Sequence, residues 1–246
     1  MTRASRDSDP PGGIAAPVEL WLLDRDAFGE HLAAINASSP LLSADEIERA
    51  AAFSDRGMAR LWTAGRTALR LLLKQFCGSA IRQQPFIYTP AGRPTIAGSE
   101  IEFSVADSGR FLAVAVGRDG RIGVDIEQPR AFKMSPERID LIVAAGTGLG
   151  GAMASPLQSW TRIEAFAKAT GPSLAATLAR LGVQGHGEGH LTAGQVLERA
   201  RRARLDAKVG VHDLDLPHAL AGAAASRRPP SALHILDAAA IDRLAG

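Results

Sequence analysis

Hydrophobic residues recur along the first half of the chain with two different periods. Apolar residues spaced by three and four predict a long helix over residues 58–76, preceded by a shorter helix that begins after Ser43. Short apolar or alternating runs predict strands at residues 18–23, 86–88, 100–105 and 111–116. Helices followed by strands that can pair antiparallel favour an α+β fold.

Capping residues mark where helices begin and end. Ser43 and Glu46 have the spacing of a capping box, in which each side chain satisfies the other residue's backbone N–H. Ser155 followed by Pro156 predicts an N-cap with proline in the first turn. The same helix is expected to end at Gly171, since glycine readily adopts the left-handed conformation of a helix C-terminus.

The second half mixes apolar and glycine-rich segments. Residues 141–145 predict a helix, and the glycine-rich residues 146–151 predict a flexible connection, because they lack the Lys-Ser/Thr ending of a phosphate-binding loop. The segment 186–190 could hold a metal through two histidines, but a glycine-rich turn is favoured because no further ligands are nearby. Residues 191–205 predict an arginine-rich helix, followed by strands at 209–216, 219–224 and 232–236.

Residues 121–127 alternate between apolar and other side chains, which predicts a strand with Asp125 and Glu127 on one face. Two adjacent carboxylates repel each other unless a positive charge lies between them. An oxygen-preferring divalent cation such as Mg²⁺ would satisfy that requirement. The polar face of an edge strand would give the same pattern without any metal.

Other charged residues allow two interpretations each. Glu164 and Lys168 are four apart on a predicted helix and share one face, as either functional groups or a surface ion pair. Four arginines recur along the long helix, where they could face solvent or a phosphate: Arg56, Arg60, Arg66 and Arg70.

The amino-acid composition narrows the classes of protein to which the chain could belong. The 246 residues are 46% hydrophobic and 22% charged, which is ordinary for a globular protein with a sizeable core. A formal net charge of +2 is too small to indicate a nucleic-acid partner. The single Cys77 excludes a disulfide within the chain and fits a reducing cytoplasm. No apolar stretch predicts a membrane span, and residues 1–16 lack a signal-peptide pattern and predict a disordered tail.

The order of these motifs resembles Sfp-type 4′-phosphopantetheinyl transferases over roughly residues 18 to 225. Two motifs are the most specific: Gly-Val-Asp-Ile-Glu at 123–127, and Trp160 with Glu164-Ala165 and Lys168 in the helix that follows. The motifs that accompany them are Gly-Arg-Pro at 92–94, residues 103–109, 42–46, 65–70, and Leu-Asp-Leu at 214–216 with an alanine-rich strand after it.

The resemblance implies two α+β subdomains related by a pseudo-twofold axis, residues 17–117 and 118–246, with the metal site at their interface. It implies transfer of phosphopantetheine from coenzyme A to a serine of an acyl or peptidyl carrier protein. In that comparison Asp125, Glu127 and Glu164 hold Mg²⁺. Two fused subdomains suggest a monomer.

Roles for individual residues follow from the same resemblance. Glu164 or a water on the metal would accept the proton of the carrier serine, and Lys168 would neutralise phosphate charge. Arg66 and Arg93 would approach the 3′-phosphate and adenylate end of coenzyme A. The residues expected to bind coenzyme A are Arg56, Arg66, Arg93, Asp107, Ser108 and Lys168.

Several positions depart from the family pattern. Asp107 stands where the family has a phosphate-contacting histidine, so it is expected to repel the coenzyme. Ser104 and Ala106 replace an Asn and a Ser of the same motif, and Ile163 replaces a Lys. The sequence therefore also allows a second function, in which a family member with impaired catalysis binds a carrier protein or another ligand without transfer.

Overall fold

The computed structural model describes residues 18–118, 120–183 and 191–246. The predicted tail (1–16) and the histidine segment 186–190 lie outside the described residues. Within them, helices and several sheets combine as the α+β prediction requires.

The first half builds one helical layer against one sheet. Its elements are β1 (Val18–Asp24), α1 (Gly29–Ser38), α2 (Ala44–Ala51), α3 (Arg56–Cys77), a short 3₁₀ turn (Gly78–Ile81), the hairpin β2 (Ile87–Tyr88) and β3 (Pro94–Thr95), β4 (Glu102–Ser108) and β5 (Phe111–Gly117). The predicted capping box at Ser43 and Glu46 starts α2. The buried face of α3 contributes Leu69 and Leu72 to a core that also includes Phe103 and Val114 of the sheet.

The second half packs helices on a smaller sheet. Its elements are β6 (Gly123–Glu127), α4 (Pro136–Gly150), α5 (Pro156–Thr170), α6 (Leu174–Leu181), α7 (Ala193–Ala207), β7 (Gly210–Asp213) and β8 (Ala221–Ser226). The three strands are antiparallel in the order β6-β8-β7. As predicted, Ser155 caps α5, Pro156 opens it and Gly171 ends it in the left-handed region, at φ 95°.

The final elements of the chain return to the first sheet. Strand β9 (Pro230–Ile235) pairs parallel with β1, so the first sheet has the order β4-β5-β1-β9. Helix α8 (Ala238–Ala245) then packs on α3 and α1. The Lys74 ammonium donates to the carbonyl of Ala245 at 3.1 Å and ties this helix to α3. The boundary between subdomains at residue 117 stays a prediction.

The prediction of a flexible connection at residues 146–151 is wrong, because α4 continues through Gly150. These glycines permit close packing between helices. A Cβ on Gly146 would collide with Ser159 of α5, and one on Gly148 would collide with the carbonyl of Leu197 in α7. The helix ends at Gly151, whose φ of 85° suits glycine.

Two serine hydroxyls join the first sheet to the second. Ser104 Oγ accepts the backbone N–H of Val124 at 3.1 Å, and Ser108 Oγ accepts that of Gln128 at 2.9 Å. Both serines lie on β4, and both N–H groups belong to β6 or the residue after it. Where these two edge strands meet, hydrogen bonds from backbone N–H groups to serine side chains thus take the place of backbone-to-backbone hydrogen bonds.

Throughout the described ranges, every helix is too short or too polar to traverse a lipid bilayer.

Candidate active site

Helix α5 lies directly on β6, which brings their charged side chains together. Gly123 makes the close approach possible, since a Cβ there would collide with the carbonyl of Ala165. The Lys168 ammonium is consequently 2.8 Å from Asp125 Oδ1 and also donates to the carbonyl of Val124 at 3.0 Å. The strand motif and the helix motif are therefore joined by a direct ion pair, which the sequence analysis did not predict.

The second oxygen of Asp125 has a different environment. The residue is 4% exposed, and its buried Oδ2 has no hydrogen-bond donor among the residues that the structure describes. Burial raises the pKa of Asp125 well above its ordinary value, Lys168 partly offsets this, and the neighbouring Glu164 carboxylate raises the pKa again. Asp125 and Glu164 are thus adjacent carboxyl groups, and the hydrogen-bond donors around them are too few to satisfy their oxygens.

The Glu127 carboxylate forms hydrogen bonds with a different set of residues from those around Asp125. Its carboxylate accepts from Ser108 Oγ at 3.0 Å and from the Arg130 guanidinium at 2.6 and 3.3 Å. Hydrogen bonding to Glu127 raises the pKa of Arg130, and the charges of Glu127, Glu164 and Asp125 contribute as well. The guanidinium therefore lies in the field of all three predicted metal ligands. Sequence reasoning missed Arg130, although its position three residues after Glu127 was a usable signal.

The three carboxylates do not form a ready-made coordination sphere. In the part of the chain that the structure describes, no group of three His, Cys, Asp or Glu side chains is arranged to hold a metal ion. The structure pairs Asp125 with Lys168 and Glu127 with Arg130, and it brings Glu164 next to Asp125.

A cavity of about 780 Å³ opens beside this acidic group. Glu164 and Lys168 line it at one side. The remaining wall comes from the hairpin residues 89–95, residues 102–105 of β4, Arg121, and residues 171–174 after α5. Its volume lies within the usual range for a small-molecule or cofactor site.

Arg93 reaches the cavity from the hairpin between β2 and β3. Its guanidinium pairs with Glu102 and donates to the carbonyls of Phe103 at 3.0 Å and Lys168 at 3.2 Å. Burial lowers the pKa of Arg93, which Glu102 partly restores. The structure therefore places this predicted coenzyme-binding residue in the cavity wall.

The other predicted arginines are elsewhere. Arg66 lies 3.8 Å from Glu46, stacks over Trp62, and is not among the residues that line the cavity. Arg56 is exposed at the first position of α3 and does not line the cavity either. Arg70 is neither solvated nor free for a phosphate, because it is fully buried against Glu46 at 2.7 Å.

Asp107 has a partner that the sequence did not indicate. The buried Arg25 guanidinium lies 3.4 Å from the Asp107 carboxylate and donates to the carbonyls of Gly109 at 2.6 Å and Arg110 at 3.4 Å. Asp107 itself is 62% exposed, so solvent screens it as well. The ion pair with Arg25 and the screening by solvent both weaken the repulsion of a phosphate that the sequence predicts at Asp107, and the repulsion itself stays a prediction.

Ile163 also requires correction. The residue is fully buried in the core of the second half, together with Phe166 and Leu149. The sequence interpretation treated it as a lost positive charge beside the coenzyme. Because its side chain faces the core, a lysine at this position would point its ammonium into apolar surroundings.

Known proteins provide an independent comparison. No protein-family model matches the chain. The protein provisionally named 4′-phosphopantetheinyl transferase slr0495, from Synechocystis sp., is 28% identical over 174 residues, covering 65% of this chain and 67% of its own length. The 4′-phosphopantetheinyl transferase HetI from Nostoc sp. is 31% identical over 121 residues, covering 48% of this chain and 50% of its own.

The chain is therefore similar, over about half to two thirds of its length, to proteins named 4′-phosphopantetheinyl transferases. This similarity agrees with the resemblance seen in the sequence motifs, whereas the Sfp type stays a prediction. It also gives a context for Asp125, Glu164 and Lys168, the charged groups that the fold gathers beside the cavity.

Proposed function

We propose that this protein transfers the 4′-phosphopantetheine group of coenzyme A to a serine of an apo acyl or peptidyl carrier protein, in a reaction that requires Mg²⁺. One observation carries the proposal. Asp125 is buried with one oxygen on Lys168 and the other without a donor, next to Glu164. Burying adjacent carboxyl groups with an unsatisfied oxygen costs free energy, and a bound cation would offset that cost.

The donor set suits Mg²⁺. It consists of carboxylate oxygens, which are the ligands this hard cation prefers when it also contacts phosphates. Asp125 and Glu164 would hold the ion, with Oδ2 of Asp125 supplying the oxygen that now lacks a donor. Glu127 would become a third ligand if its ion pair with Arg130 were broken. When bound, Mg²⁺ would neutralise charge on the pyrophosphate of coenzyme A.

The cavity residues supply the other requirements of the reaction. Lys168 faces the cavity with its side chain 33% exposed, so its ammonium can contact a phosphate and stabilise the negative charge that develops there. Arg93 adds positive charge to the cavity wall, beside Glu102. Together they orient the coenzyme with its pyrophosphate toward the carboxylates.

The chemical step is a displacement at phosphorus. The carrier serine Oγ attacks the β-phosphorus of coenzyme A, and the bond from that phosphorus to the bridging oxygen breaks. Phosphopantetheine is then esterified to the serine, and 3′,5′-ADP leaves. Glu164 and Lys168 line the cavity. In this proposal Glu164 accepts the serine proton, and Lys168 balances charge on the phosphates.

Incubation with coenzyme A, Mg²⁺ and a panel of apo carrier proteins tests the proposal, with intact mass of the carrier as the readout. We expect a mass gain of one phosphopantetheine, which disappears when EDTA replaces Mg²⁺. A Lys168→Met variant should give much slower transfer, with circular dichroism checking that the variant is folded.

A family member without transfer activity gives a different result. It would bind a carrier protein or coenzyme A, detected by calorimetry, while the carrier mass stays unchanged at all enzyme concentrations. No transfer together with no binding of coenzyme A would contradict the proposed function altogether.

A further inference from the structure

The three carboxylates beside the cavity share two resident cations. Lys168 pairs with Asp125, Arg130 pairs with Glu127, and Glu164 neighbours Asp125. When all of these groups are ionised, one negative charge remains. A divalent cation added to the whole set would leave one positive charge in excess, whereas a divalent cation that replaces one resident cation balances the group. Charge balance therefore favours the exchange of one resident cation for the metal.

The two resident cations are held differently. The Lys168 ammonium also donates to the carbonyl of Val124 at 3.0 Å. Among the described residues, every hydrogen bond of the Arg130 guanidinium goes to the Glu127 carboxylate, at 2.6 and 3.3 Å, and its side chain is 46% exposed. Arg130 is therefore the cation that a metal can displace by breaking contacts with a single carboxylate.

The Glu127 carboxylate has a second, uncharged partner. Ser108 Oγ donates to Glu127 Oε2 at 3.0 Å and accepts the backbone N–H of Gln128 at 2.9 Å. This hydroxyl orients the carboxylate between β4 and β6 without Arg130. In the part of the chain that the structure describes, Oε1 accepts only from Arg130. Departure of the arginine would therefore free one oxygen of a carboxylate that stays oriented.

Aromatic contacts hold Arg130 independently of Glu127. Its guanidinium carbon lies 5.2 Å from the centre of the Phe132 ring, which is a cation–π distance. Phe132 packs edge-on against Trp160, with the ring centres 6.1 Å apart. Trp160 lies in α5, one turn before Glu164. These contacts can keep the guanidinium near the acidic group after the ion pair with Glu127 breaks.

We propose that Arg130 occupies the place of the divalent cation at Glu127 and leaves it when the metal binds, so that this arginine sets the affinity of the site for the metal. The inference rests on the proposed function, because it takes the three carboxylates as the Mg²⁺ site. Arg130 does not line the cavity. Its role is to stabilise carboxylates that would otherwise repel each other in the metal-free protein.

Titration with Mn²⁺, followed by the electron paramagnetic resonance of the free ion, measures the affinity. Mn²⁺ is the probe because it takes the same oxygen ligands as Mg²⁺. Arg130→Gln should bind Mn²⁺ about tenfold more tightly than wild type, because a charge-assisted ion pair no longer competes for Glu127. Arg130→Lys keeps the charge but loses the fork of two hydrogen bonds, so its affinity should lie between the two.

Arg201→Gln is the matched control for the loss of a positive charge. Arg201 also pairs with the glutamate three residues before it, Glu198, at 2.7 Å, but this pair lies on α7. Because neither residue contacts the acidic group, Arg201→Gln should leave the Mn²⁺ affinity unchanged.

Nuclear magnetic resonance detects the displacement itself. The Arg130 Nε–H resonance is identified by its absence in Arg130→Lys. Saturation of wild type with Mg²⁺ should speed the exchange of this hydrogen with water, because its hydrogen bond to Glu127 is broken. An exchange rate that stays the same at saturating Mg²⁺ would overturn the displacement.

The outcomes separate the role of Arg130 from the proposed function. An Arg130→Gln affinity equal to or weaker than that of wild type would overturn the role of Arg130 alone, as would the same gain in Arg201→Gln. If neither wild type nor Arg130→Gln binds Mn²⁺, the metal site fails, and the role of Arg130 fails with it. If Arg130→Gln binds Mn²⁺ more tightly but no carrier protein gains mass, the proposed transfer fails and the role of Arg130 stands.

Discussion

Two buried ion pairs, one in each half of the chain, have nearly equal lengths and opposite surroundings. Arg70 and Glu46 meet at 2.7 Å with side chains 0% and 2% exposed. Lys168 and Asp125 meet at 2.8 Å, but the lysine is 33% exposed and faces the cavity. The first pair is closed from solvent, whereas the second is open to a ligand.

The second carboxylate oxygen shows the difference most clearly. In Glu46 that oxygen lies 3.8 Å from a further cation, Arg66. Asp125 instead neighbours another carboxylate, Glu164, and its pKa is raised, first by burial and further by that neighbour. The Arg70 guanidinium also donates to the carbonyl of Ile81 at 2.5 Å and to Ser43 Oγ at 3.2 Å. The second oxygens of Glu46 and Asp125 both lack a hydrogen-bond partner among the described residues, so the neighbouring charge makes the difference. A buried carboxylate between two arginines indicates structural stability, whereas two adjacent carboxyl groups beside a cavity indicate a binding function.

Breaking the closed pair should have the largest effect. Arg70→Ala removes the nearer cation from the buried Glu46 carboxylate and leaves only Arg66 at 3.8 Å, so we expect the free energy of unfolding to fall by about 3–5 kcal/mol. Urea denaturation followed by circular dichroism measures this. A loss below about 1 kcal/mol would show that this network contributes little to the fold.

Changing the open pair should mainly affect catalysis. Asp125→Asn keeps the shape of the side chain and removes its charge, and we expect transfer to carrier protein to fall by roughly 10²–10³-fold. Rates come from the carrier mass assay, with the exposed Asp206→Asn as control. Unchanged transfer by Asp125→Asn would contradict the metal assignment.

The same variant should alter the pH dependence of stability in metal-free buffer. Folding raises the pKa of Asp125, so the folded state binds its proton more tightly, and ionisation costs stability as pH rises from about 4 toward the folded-state pKa. Asparagine lacks this cost. The stability of Asp125→Asn relative to wild type should therefore increase over that window, by at most about 1.4 kcal/mol per pH unit. Thermal unfolding at several pH values with EDTA measures it, and a constant difference would contradict the raised pKa.

An exposed pair completes the series with the smallest effect. Arg60 and Glu30 are 3.4 Å apart with side chains 73% and 92% exposed. Water and salt screen such a pair, so Arg60→Ala should change the free energy of unfolding by about 0–0.5 kcal/mol. Because Arg60 shares α3 with Arg70, it is also the control for that variant. If Arg60→Ala lowered the free energy of unfolding as much as Arg70→Ala does, the location on α3, and not burial of the ion pair, would determine the loss of stability.

Features set by neighbouring residues were predictable from the sequence. The capping box at Ser43 and the start and end of α5 depend on side chains within a few residues of each other, and all were confirmed. The strand and helix that carry Asp125 and Lys168 were confirmed for the same reason, since each has a clear period.

Features set by packing between distant elements were not predictable. Arg70 and Ile163 each have a local pattern that suits an exposed or site-facing role, and only the tertiary fold buries them. The glycines among residues 146–150 are typical of a loop. Only the tertiary structure shows that α5 and α7 pack closely on them because they lack side chains. Arg25 and Asp107 are 82 positions apart, so no local spacing indicates their ion pair.

The parallel pairing of β9 with β1 has a consequence for synthesis on the ribosome. Ser231 Oγ donates to the carbonyl of Val18 across 213 positions of sequence. At 5–20 residues per second, β1 waits roughly 10–40 s for that neighbour after it emerges. During this time that side of β1 offers unpaired backbone groups to other nascent chains, an exposure that a chaperone would cover.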